Sequence, residues 1–347
     1  MVEQKVIGCI LGTAAGDAIG LPYEGLSKNR VNKLVGEKLS HRLVFGHGMI
    51  SDDTEHTVMV AQLLIEANGN VEIFQERLAK RLRYWLLALP AGIGFATLRA
   101  IVKLWLGFKS NNSGIYSAGN GPAMRSVIIG VAVKDLEQLK AFIKANTIIT
   151  HIDPKAEFGA LAVALAAFYA KTNSQVNGND FLQLLNENLS SEAQELIELI
   201  QKAVSSVNNG EVTQDFADSL GLAKGVTGYI YHTVPIAIHS WLCHCDNFEA
   251  AITSAIKCGG DTDTVAAIVG GIVGTTVGKS GIPEKWLSSI CDWPTSINEI
   301  EKIAVQLAAE NEAIKPTKIP LVFSLLRNIV FMIIVLFHGF RRLLPPY

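Results

Sequence analysis

Residues 259–274, GGDTDTVAAIVGGIVG, decide the fold of this chain. The stretch opens with Asp261 and Asp263, is apolar almost all round after them, and carries glycines at three- and four-residue spacing. A helix without a polar face belongs in the interior of a helical protein, and glycine lets a second backbone approach closely. The sequence therefore predicts a central, buried helix over 263–278 with acidic residues at its mouth, that is, at its N-terminal end.

A second glycine-rich stretch, GCILGTAAGDAIGLPYE at residues 8–24, has the same character. Its glycines recur every four residues and so share one helical face, which permits close packing: Gly8, Gly12, Gly16 and Gly20. Asp17 lies within this glycine-rich segment, where an unpaired carboxylate would be costly, so we expect it to have a partner.

Helix signals dominate the rest of the chain. Residues 52–68 begin with acidic side chains and continue with apolar positions at helical spacing, and residues 154–171 begin with proline and are rich in alanine. Alternating strand patterns are scarce, nucleotide-binding glycine motifs are absent from the sequence, and no proline-rich linker divides residues 1–310. We predict one all-α domain over residues 1–312.

Two short acidic segments carry most of the chemical information. They are Ser51-Asp52-Asp53-Thr54 and the start of the 259–274 stretch, and each places two carboxylates and nearby hydroxyls at the mouth of a predicted helix. Either segment alone is readily explained as a helix N-cap. If the two face each other, four carboxylates raise each other's pKa unless cations neutralise them. Oxygen ligands of this kind suit Mg²⁺ or Mn²⁺ rather than zinc, and six candidate ligands in two groups allow two metals.

These segments occur in a fixed order with GNGPAMR at residues 119–125 and Thr150-His151. Together they resemble the ADP-ribosylglycohydrolase family, the group related to dinitrogenase reductase-activating glycohydrolase and to J1 crystallins. The pairing of SDDT with GGDTDT is its most specific part. The resemblance implies a compact all-α fold with a binuclear Mg²⁺ or Mn²⁺ site, and it implies six metal ligands: Ser51, Asp52, Asp53, Asp261, Asp263 and Thr264.

The same resemblance assigns the remaining site residues. Glu24 matches the acidic residue of a mobile loop beside the metals, and Asp17 is expected to support the ligand-bearing segments. Segments that line the ADP-ribose cleft are matched by four residues: Gly119, Asn120, Gly121 and His151. Four aromatic residues are expected in the core, with stacking of one of them on adenine as the alternative: Phe95, Trp105, Tyr116 and Tyr229.

The implied reaction is metal-dependent hydrolysis of the glycosidic bond at C1″ of ADP-ribose. It would release ADP-ribose from a modified protein side chain or from a small conjugate, with Glu24, Asp53 or Asp261 as candidates for the catalytic carboxylate. The alternative is a non-catalytic relative, either structural as crystallins are or one that binds ADP-ribose. A phosphohydrolase of another lineage is disfavoured, because the carboxylates come without a supporting histidine cluster.

Composition narrows the classes of protein further. The 347 residues are 49% hydrophobic and 18% charged, with a mean hydropathy of +0.29, which excludes disorder as the main state. The formal net charge of −2 argues against a nucleic-acid binder. Five cysteines do not form a disulfide framework, and glycines interrupt the apolar run that follows the polar first residues, so we expect a cytoplasmic protein without a signal peptide.

The last 35 residues, 313–347, differ from the rest. From residue 319 onward the chain is largely Leu, Ile, Val and Phe, and no acidic residue follows Glu312. The tail carries a charge of +5, so residues 1–312 carry −7. Its basic residues are Lys315, Lys318, Arg327, Arg341 and Arg342.

Projected on a helix, residues 321–344 form a wide apolar surface with one narrow polar stripe. The stripe comprises Ser324, Arg327, Asn328, His338, Arg341 and Arg342. Three interpretations follow: a helix lying in a membrane interface, a spanning tail anchor, or a helix docked on the domain or on a second subunit. The protein is thus expected in the cytoplasm, with membrane contact through residues 319–344 as the open alternative.

Overall fold

The computed structural model describes residues 2–36, 38–173, 175–309 and 319–344. Within these ranges the chain forms α-helices, short 3₁₀ helices and isolated β-bridges, without a β-sheet. The 3₁₀ helices are Leu21–Tyr23, Ser191–Ala193 and Lys279–Gly281. The α-helices are α1 (Val2–Gly20), α2 (Lys28–Val35), α3 (Asp52–Ala67), α4 (Val71–Leu87), α5 (Phe95–Trp105), α6 (Gly121–Met124), α7 (Val127–Ala132), α8 (Leu136–Ile148), α9 (Pro154–Thr172), α10 (Gly178–Asn188), α11 (Gln194–Asn208), α12 (Thr213–Ser219), α13 (Ile230–Cys243), α14 (Phe248–Ile256), α15 (Thr262–Val277), α16 (Glu284–Ser288), α17 (Ile297–Ala308) and α18 (Leu321–Arg341). The predicted all-α fold is confirmed.

Helices α1 and α15 pack backbone against backbone and run antiparallel. A Cβ atom on Gly12 would lie 2.1 Å from the carbonyl oxygen of Gly270, and one on Gly8 would lie 2.1 Å from that of Gly274. No side chain fits at such distances, so these glycines allow the two helix backbones to touch. The glycine-rich faces expected from the sequence therefore meet each other.

Helix α15 is the centre of the fold. It contacts α1 on one side, and α9, α13 and α14 pack around the rest of its surface. Small residues fill these contacts, because α9 is an alanine-rich helix whose alanines are all buried. This close-packed centre fixes the position of the first turn of α15, where Asp261 and Asp263 lie.

One end of the α1–α15 contact gathers the elements that bear the acidic segments. Helix α1 ends at Gly20, beside the backbone of Thr262 in the first turn of α15. Asp17, one turn earlier in α1, is hydrogen-bonded to Ser51 and Thr54 at the start of α3. The fold thus brings the two acidic helix mouths to the same end of the domain.

Helix α18 lies on the domain with its polar residues turned inward. Arg327, Asn328 and His338 are buried, whereas twelve large apolar side chains between residues 321 and 344 are 40–79% exposed. The guanidinium of Arg327 lies 2.6 Å from a carboxylate oxygen of Asp292. Docking on the domain is therefore the arrangement that the structure has for α18, while the boundary predicted at residue 312 lies outside the described residues.

The far end of α18 is held by backbone carbonyls. Arg342, just after the helix, donates hydrogen bonds to the carbonyl oxygens of Pro22 (2.7 Å) and Glu24 (2.6 Å). His338 donates from Nε2 to the same Pro22 carbonyl at 3.1 Å. The tail helix consequently contacts the segment that follows α1 and carries Glu24.

Candidate active site

A cleft of about 670 Å³ opens where α1, α3 and α15 meet. This volume lies in the range of pockets that bind small molecules and cofactors. Asp17 and Asp53 lie behind the surface of the cleft. The other residues predicted for the site line it: Glu24, Ser51, Asp52, Gly119, Asn120, Gly121, His151, Asp261, Asp263 and Thr264.

Asp17 connects α1 to the first acidic segment. Its side chain is fully buried, and its Oδ2 accepts hydrogen bonds from the backbone N–H of Ser51 (2.8 Å), the backbone N–H of Thr54 (3.2 Å) and the Thr54 hydroxyl (2.5 Å). Burial raises its pKa to about 6 despite these hydrogen bonds. Asp17 therefore holds the start of α3 in place from behind the cleft.

Asp53 connects the two acidic segments. Its Oδ2 accepts hydrogen bonds from the hydroxyls of Ser51 and Thr264, both at 3.2 Å. Ser51 also caps α3 by accepting from the backbone N–H of Asp53. Oδ1 of Asp53 is buried and has no hydrogen-bond partner. One oxygen of this carboxylate is thus shared between the helix mouths, and the other is available to a ligand.

Two glycines fix the second acidic segment against the Glu24 loop. Gly260 has a positive φ of 80°, and a Cβ atom there would lie 1.9 Å from the carbonyl oxygen of Val226. Its N–H donates to Leu26, and its carbonyl accepts from Gly25, both at 2.8 Å. The loop after Glu24 is therefore held beside Asp261.

The carboxylates of the site raise each other's pKa. For Asp52, Asp53 and Asp263 burial is the largest cause, and neighbouring carboxylates add to it, so their pKa values lie well above the ordinary value. The pKa of Glu24 is raised by burial and then by Asp261, and the guanidinium of Arg342 opposes this. The end of the domain where the helix mouths meet is thus strongly acidic and favours a bound cation.

The opposite wall of the cleft presents hydrogen-bond donors. Asn120 donates to Oδ2 of Asp261 at 2.7 Å, which links this wall to the acidic floor. Arg125 is fully buried and donates to the hydroxyl oxygen of Thr150, whose hydrogen is then directed at Nδ1 of His151, 2.9 Å away. Burial and the charge of Arg125 lower the pKa of His151 to about 3, so the ring is neutral. Its Nε2–H faces the glycine-rich loop at Gly119 and is a donor to the cleft.

A sequence model of the ADP-ribosylglycohydrolase family matches residues 1–316. The chain belongs to the ADP-ribosylglycohydrolase family. It is 31% identical over 307 residues to an uncharacterized protein of Archaeoglobus fulgidus, covering 84% of this chain and 93% of that protein. It is 25% identical to the ADP-ribosyl-[dinitrogen reductase] glycohydrolase of Rhodospirillum rubrum, covering 83% and 91%.

The fold is also that of a solved structure described as an ADP-ribosylglycohydrolase-related protein complex. The two align with a TM-score of 0.66 at 23% identity, over 89% of this chain and 98% of the other. The family resemblance and the all-α fold expected from the sequence are thereby confirmed.

ADP-ribosylglycohydrolases are in general metal-dependent, and the donor set of this member fits a hard cation. The candidate ligands are carboxylates and hydroxyls, the preferred ligands of Mg²⁺ and Mn²⁺. Buried, unpartnered oxygens of Asp17 and Asp53 point to a positive charge that would satisfy this end of the site. Among the residues that the structure describes, no group of three or more His, Cys, Asp or Glu side chains is arranged so that it could hold a metal ion. The binuclear site stays a prediction.

The structure corrects one expectation about this family member. Phe95, Trp105 and Tyr116, expected in the core, are 73%, 46% and 74% exposed. Phe95 and Tyr116 line the cleft, where they offer flat surfaces to a ligand. Their apolar character alone indicated burial, but Phe95 and Trp105 lie at the two ends of α5 and Tyr116 lies in a loop, at positions that the tertiary fold leaves exposed.

Sequence reasoning missed the part that the tail plays in the cleft. Phe331 and Val335 of α18 line it, together with Leu21 and Ala91 of the domain. Phe331 and Val335 interrupt the polar stripe of the helix, and this interruption was the signal: the inward face of α18 is apolar where it borders the cleft and polar where it meets carboxylates and carbonyls.

Proposed function

We propose that this chain is a metal-dependent hydrolase that cleaves the glycosidic bond at C1″ of ADP-ribose. It would release ADP-ribose from a modified protein side chain or from a small conjugate. The observation that carries the proposal is the meeting of two acidic helix mouths, joined through Asp53, at the floor of a cleft with a donor-lined wall. Membership of the family and the name of the Rhodospirillum rubrum relative support the substrate class.

Two Mg²⁺ or Mn²⁺ ions would be held by Ser51, Asp52, Asp53, Asp261, Asp263 and Thr264. When bound, such ions supply Lewis acidity and orient hydroxyl groups and water. Asp17 and Asn120 hold the ligand-bearing segments in position from either side. A second set of contacts thus fixes the geometry before any ligand arrives.

Carboxylates of the protein supply the charge stabilisation and the proton transfer of this reaction. The bond from C1″ to the leaving nitrogen or oxygen breaks, positive charge develops at C1″, and the acidic floor stabilises that charge. A water oxygen forms the new bond to C1″, and the proton of the water passes to a carboxylate. Glu24, Asp53 and Asp261 are the candidates, and the raised pKa of Glu24 makes its carboxylate a stronger proton acceptor than an exposed glutamate. The leaving group takes up a proton from solvent or from the same carboxylate.

The remainder of ADP-ribose has a place along the cleft. Nε2–H of His151 would donate to the diphosphate or ribose, and the Gly119–Gly121 loop lines the cleft beside it, with the N–H of Asn120 already bound to the carbonyl oxygen of Gly228 at 3.0 Å. Pro122 lacks an N–H and therefore withdraws one donor from this loop. The exposed rings of Phe95 and Tyr116 are surfaces on which adenine would stack.

The test is release of ADP-ribose from arginine-linked and serine-linked substrates with Mg²⁺ and Mn²⁺ compared. The double variant Asp261→Asn with Asp263→Asn is expected to lose release by at least about a thousandfold. The matched control is Asp180→Asn with Asp246→Asn, which makes the same charge change at two exposed positions and should retain activity.

Unchanged turnover in the Asp261/Asp263 variant would end the proposal. If the unaltered protein releases no ADP-ribose with either metal but binds ADP-ribose in calorimetry, the non-catalytic alternative holds instead. A cytoplasmic location belongs to the proposal too, and the five free cysteines of the structure support it.

A further inference from the structure

We propose that the outer face of α18 is a lipid-binding surface that lays the protein flat on an anionic membrane. The large apolar side chains of this face recur every three to four residues along the whole helix, and each is at least two-fifths exposed. They are Leu321, Val322, Phe323, Leu326, Ile329, Val330, Ile333, Leu336, Phe337, Phe340, Leu343 and Leu344. A monomer in water rarely leaves so continuous an apolar surface uncovered.

The inward polar contacts decide how a lipid surface meets this helix. Arg327 is bound to Asp292 and Glu55 and donates to the carbonyl oxygen of Ile50 at 2.5 Å. Fifteen residues later Arg342 is bound to the carbonyls of the segment after α1, roughly 22 Å away along the helix. Because both places are tied to the domain, α18 lies along the domain and meets a membrane side-on. Spanning the bilayer would require the buried ion pairs of Arg327 to break.

The borders of the apolar face match a membrane interface. Trp293 is 53% exposed and its ring lies 5.1 Å from that of Phe323, at the first turn of α18. At the other end, exposed Arg30 donates to the carbonyl oxygen of Arg342 at 3.1 Å, and exposed Arg42 lies close enough to His338 to lower its pKa. Tryptophan and arginine at the rim of an apolar face are typical of helices that lie in the headgroup region.

Charge favours lipid over a second copy of the chain. The basic end of α18 is where this charge lies: Arg341 and Arg342 end the helix, exposed Arg30 contacts Arg342, and exposed Arg42 lies near His338, whereas Arg327 is neutralised by its buried carboxylate partners. Anionic headgroups complement this charge, at about 1 kcal/mol for each basic residue near the surface. A second copy would bring the same cationic surface into contact with itself.

The experiment uses the full chain and sedimentation with vesicles. We expect binding to vesicles of phosphatidylcholine mixed with phosphatidylglycerol, and weaker binding to phosphatidylcholine alone. Phe337→Glu with Phe340→Glu, two positions that are 71% and 67% exposed, should weaken binding at least about tenfold. Circular dichroism of this variant should match that of the parent, because neither ring is buried.

The matched control is Val2→Glu with Val212→Glu. Both side chains are 56% exposed, and Val2 lies at the end of α1 opposite the one that α18 contacts, so vesicle binding should be retained. Full chain that stays in the supernatant with both vesicle types would overturn the proposal, and so would parental binding by the Phe337/Phe340 variant. Sedimentation velocity tests the alternative, a second copy of the chain on this face. A parent that is dimeric and does not bind vesicles, with a monomeric Phe337/Phe340 variant, would assign this face to a second copy. None of these outcomes depends on hydrolase activity.

Discussion

Helices α1 and α18 are both long and apolar enough to cross a membrane, yet they occupy opposite environments. Over the part of the chain that the structure describes, these are the two helical stretches of that kind, Val2–Tyr23 and Leu321–Arg341. The most apolar 18 residues of the first are all buried, whereas 22% of those of the second are buried. The difference lies in what each helix offers to its neighbours. Helix α1 contacts α15 through glycines, whereas α18 contacts the domain through buried Arg327, Asn328 and His338.

The comparison shows that mean hydropathy does not determine which face of a helix is buried. Helix α1 buries its apolar surface because a glycine face allows backbone contact on one side and side chains can pack on the other. Helix α18 turns its apolar surface outward because its few polar groups find buried carboxylates and carbonyls. The inward position of Arg327 depends on Asp292, because a buried charge is tolerated only when its partner is present.

The largest effect should come from Gly12→Ala in α1. The added methyl would lie 2.1 Å from the carbonyl oxygen of Gly270, so α1 and α15 must separate and the core loses its packing. We expect a loss of more than about 3 kcal/mol in the free energy of unfolding, seen as a large fall in Tm or as insoluble protein. A Tm equal to that of the parent would show that the backbone contact between these helices is not what holds the fold.

Arg327→Ala should have the next largest effect, because it removes the charge that holds α18 to the domain. Asp292 would be left buried without its cation, at a cost of about 3–5 kcal/mol to docking. The measurement is limited proteolysis, in which α18 of the variant should be cut while α1 stays protected. The control, Arg77→Ala, breaks an ion pair to Glu66 whose arginine is 46% exposed, and it should change stability by less than about 1 kcal/mol. Equal protection of α18 in the variant and the parent would contradict a docked tail.

The third effect concerns the one buried charge of α1, Asp17. Its pKa is raised to about 6 in the folded protein, whereas in the unfolded chain the same carboxyl has its ordinary pKa of about 4. Between these two values the folded protein binds a proton that the unfolded chain does not. Measured in a metal chelator, the stability of the parent relative to Asp17→Asn should therefore rise by about 1 kcal/mol as the pH falls from about 7.5 to about 5.5. The variant is the reference because buried histidines with lowered pKa values, such as His151, cost stability over the same pH range in both proteins. Thermal unfolding of both proteins against pH measures this difference. A difference between parent and Asp17→Asn that stays constant or shrinks as the pH falls would contradict the prediction.

Local patterns predicted α1 and α15 well, because the four-residue repeat of Gly8, Gly12 and Gly16 already requires a close partner. The meeting of the acidic segments was predictable for a similar reason: each lies at a helix mouth, and the resemblance joined them. The docking of α18 was one of three expectations, because its partners Glu55 and Asp292 are remote in sequence and nothing local distinguishes them. The wrong prediction for Phe95 and Tyr116 has the same origin, since a position on the wall of a cleft is a property of the assembled fold.

The smallest effect should come from the same substitution in the other helix, Gly339→Ala. An added Cβ at Gly339 meets nothing within 4 Å, whereas the one at Gly12 meets a carbonyl oxygen. Because alanine loses less conformational freedom than glycine on forming a helix, α18 should be stabilised by about 0.5–1 kcal/mol. Hydrogen exchange of the α18 amides measures this, since local opening of a docked helix need not alter the Tm of the domain. Faster exchange in Gly339→Ala would mean that the outer face of α18 is covered near this residue. Opposite signs for one substitution in two helices of similar composition would show that the contact face, and not the apolar content, sets what each helix tolerates.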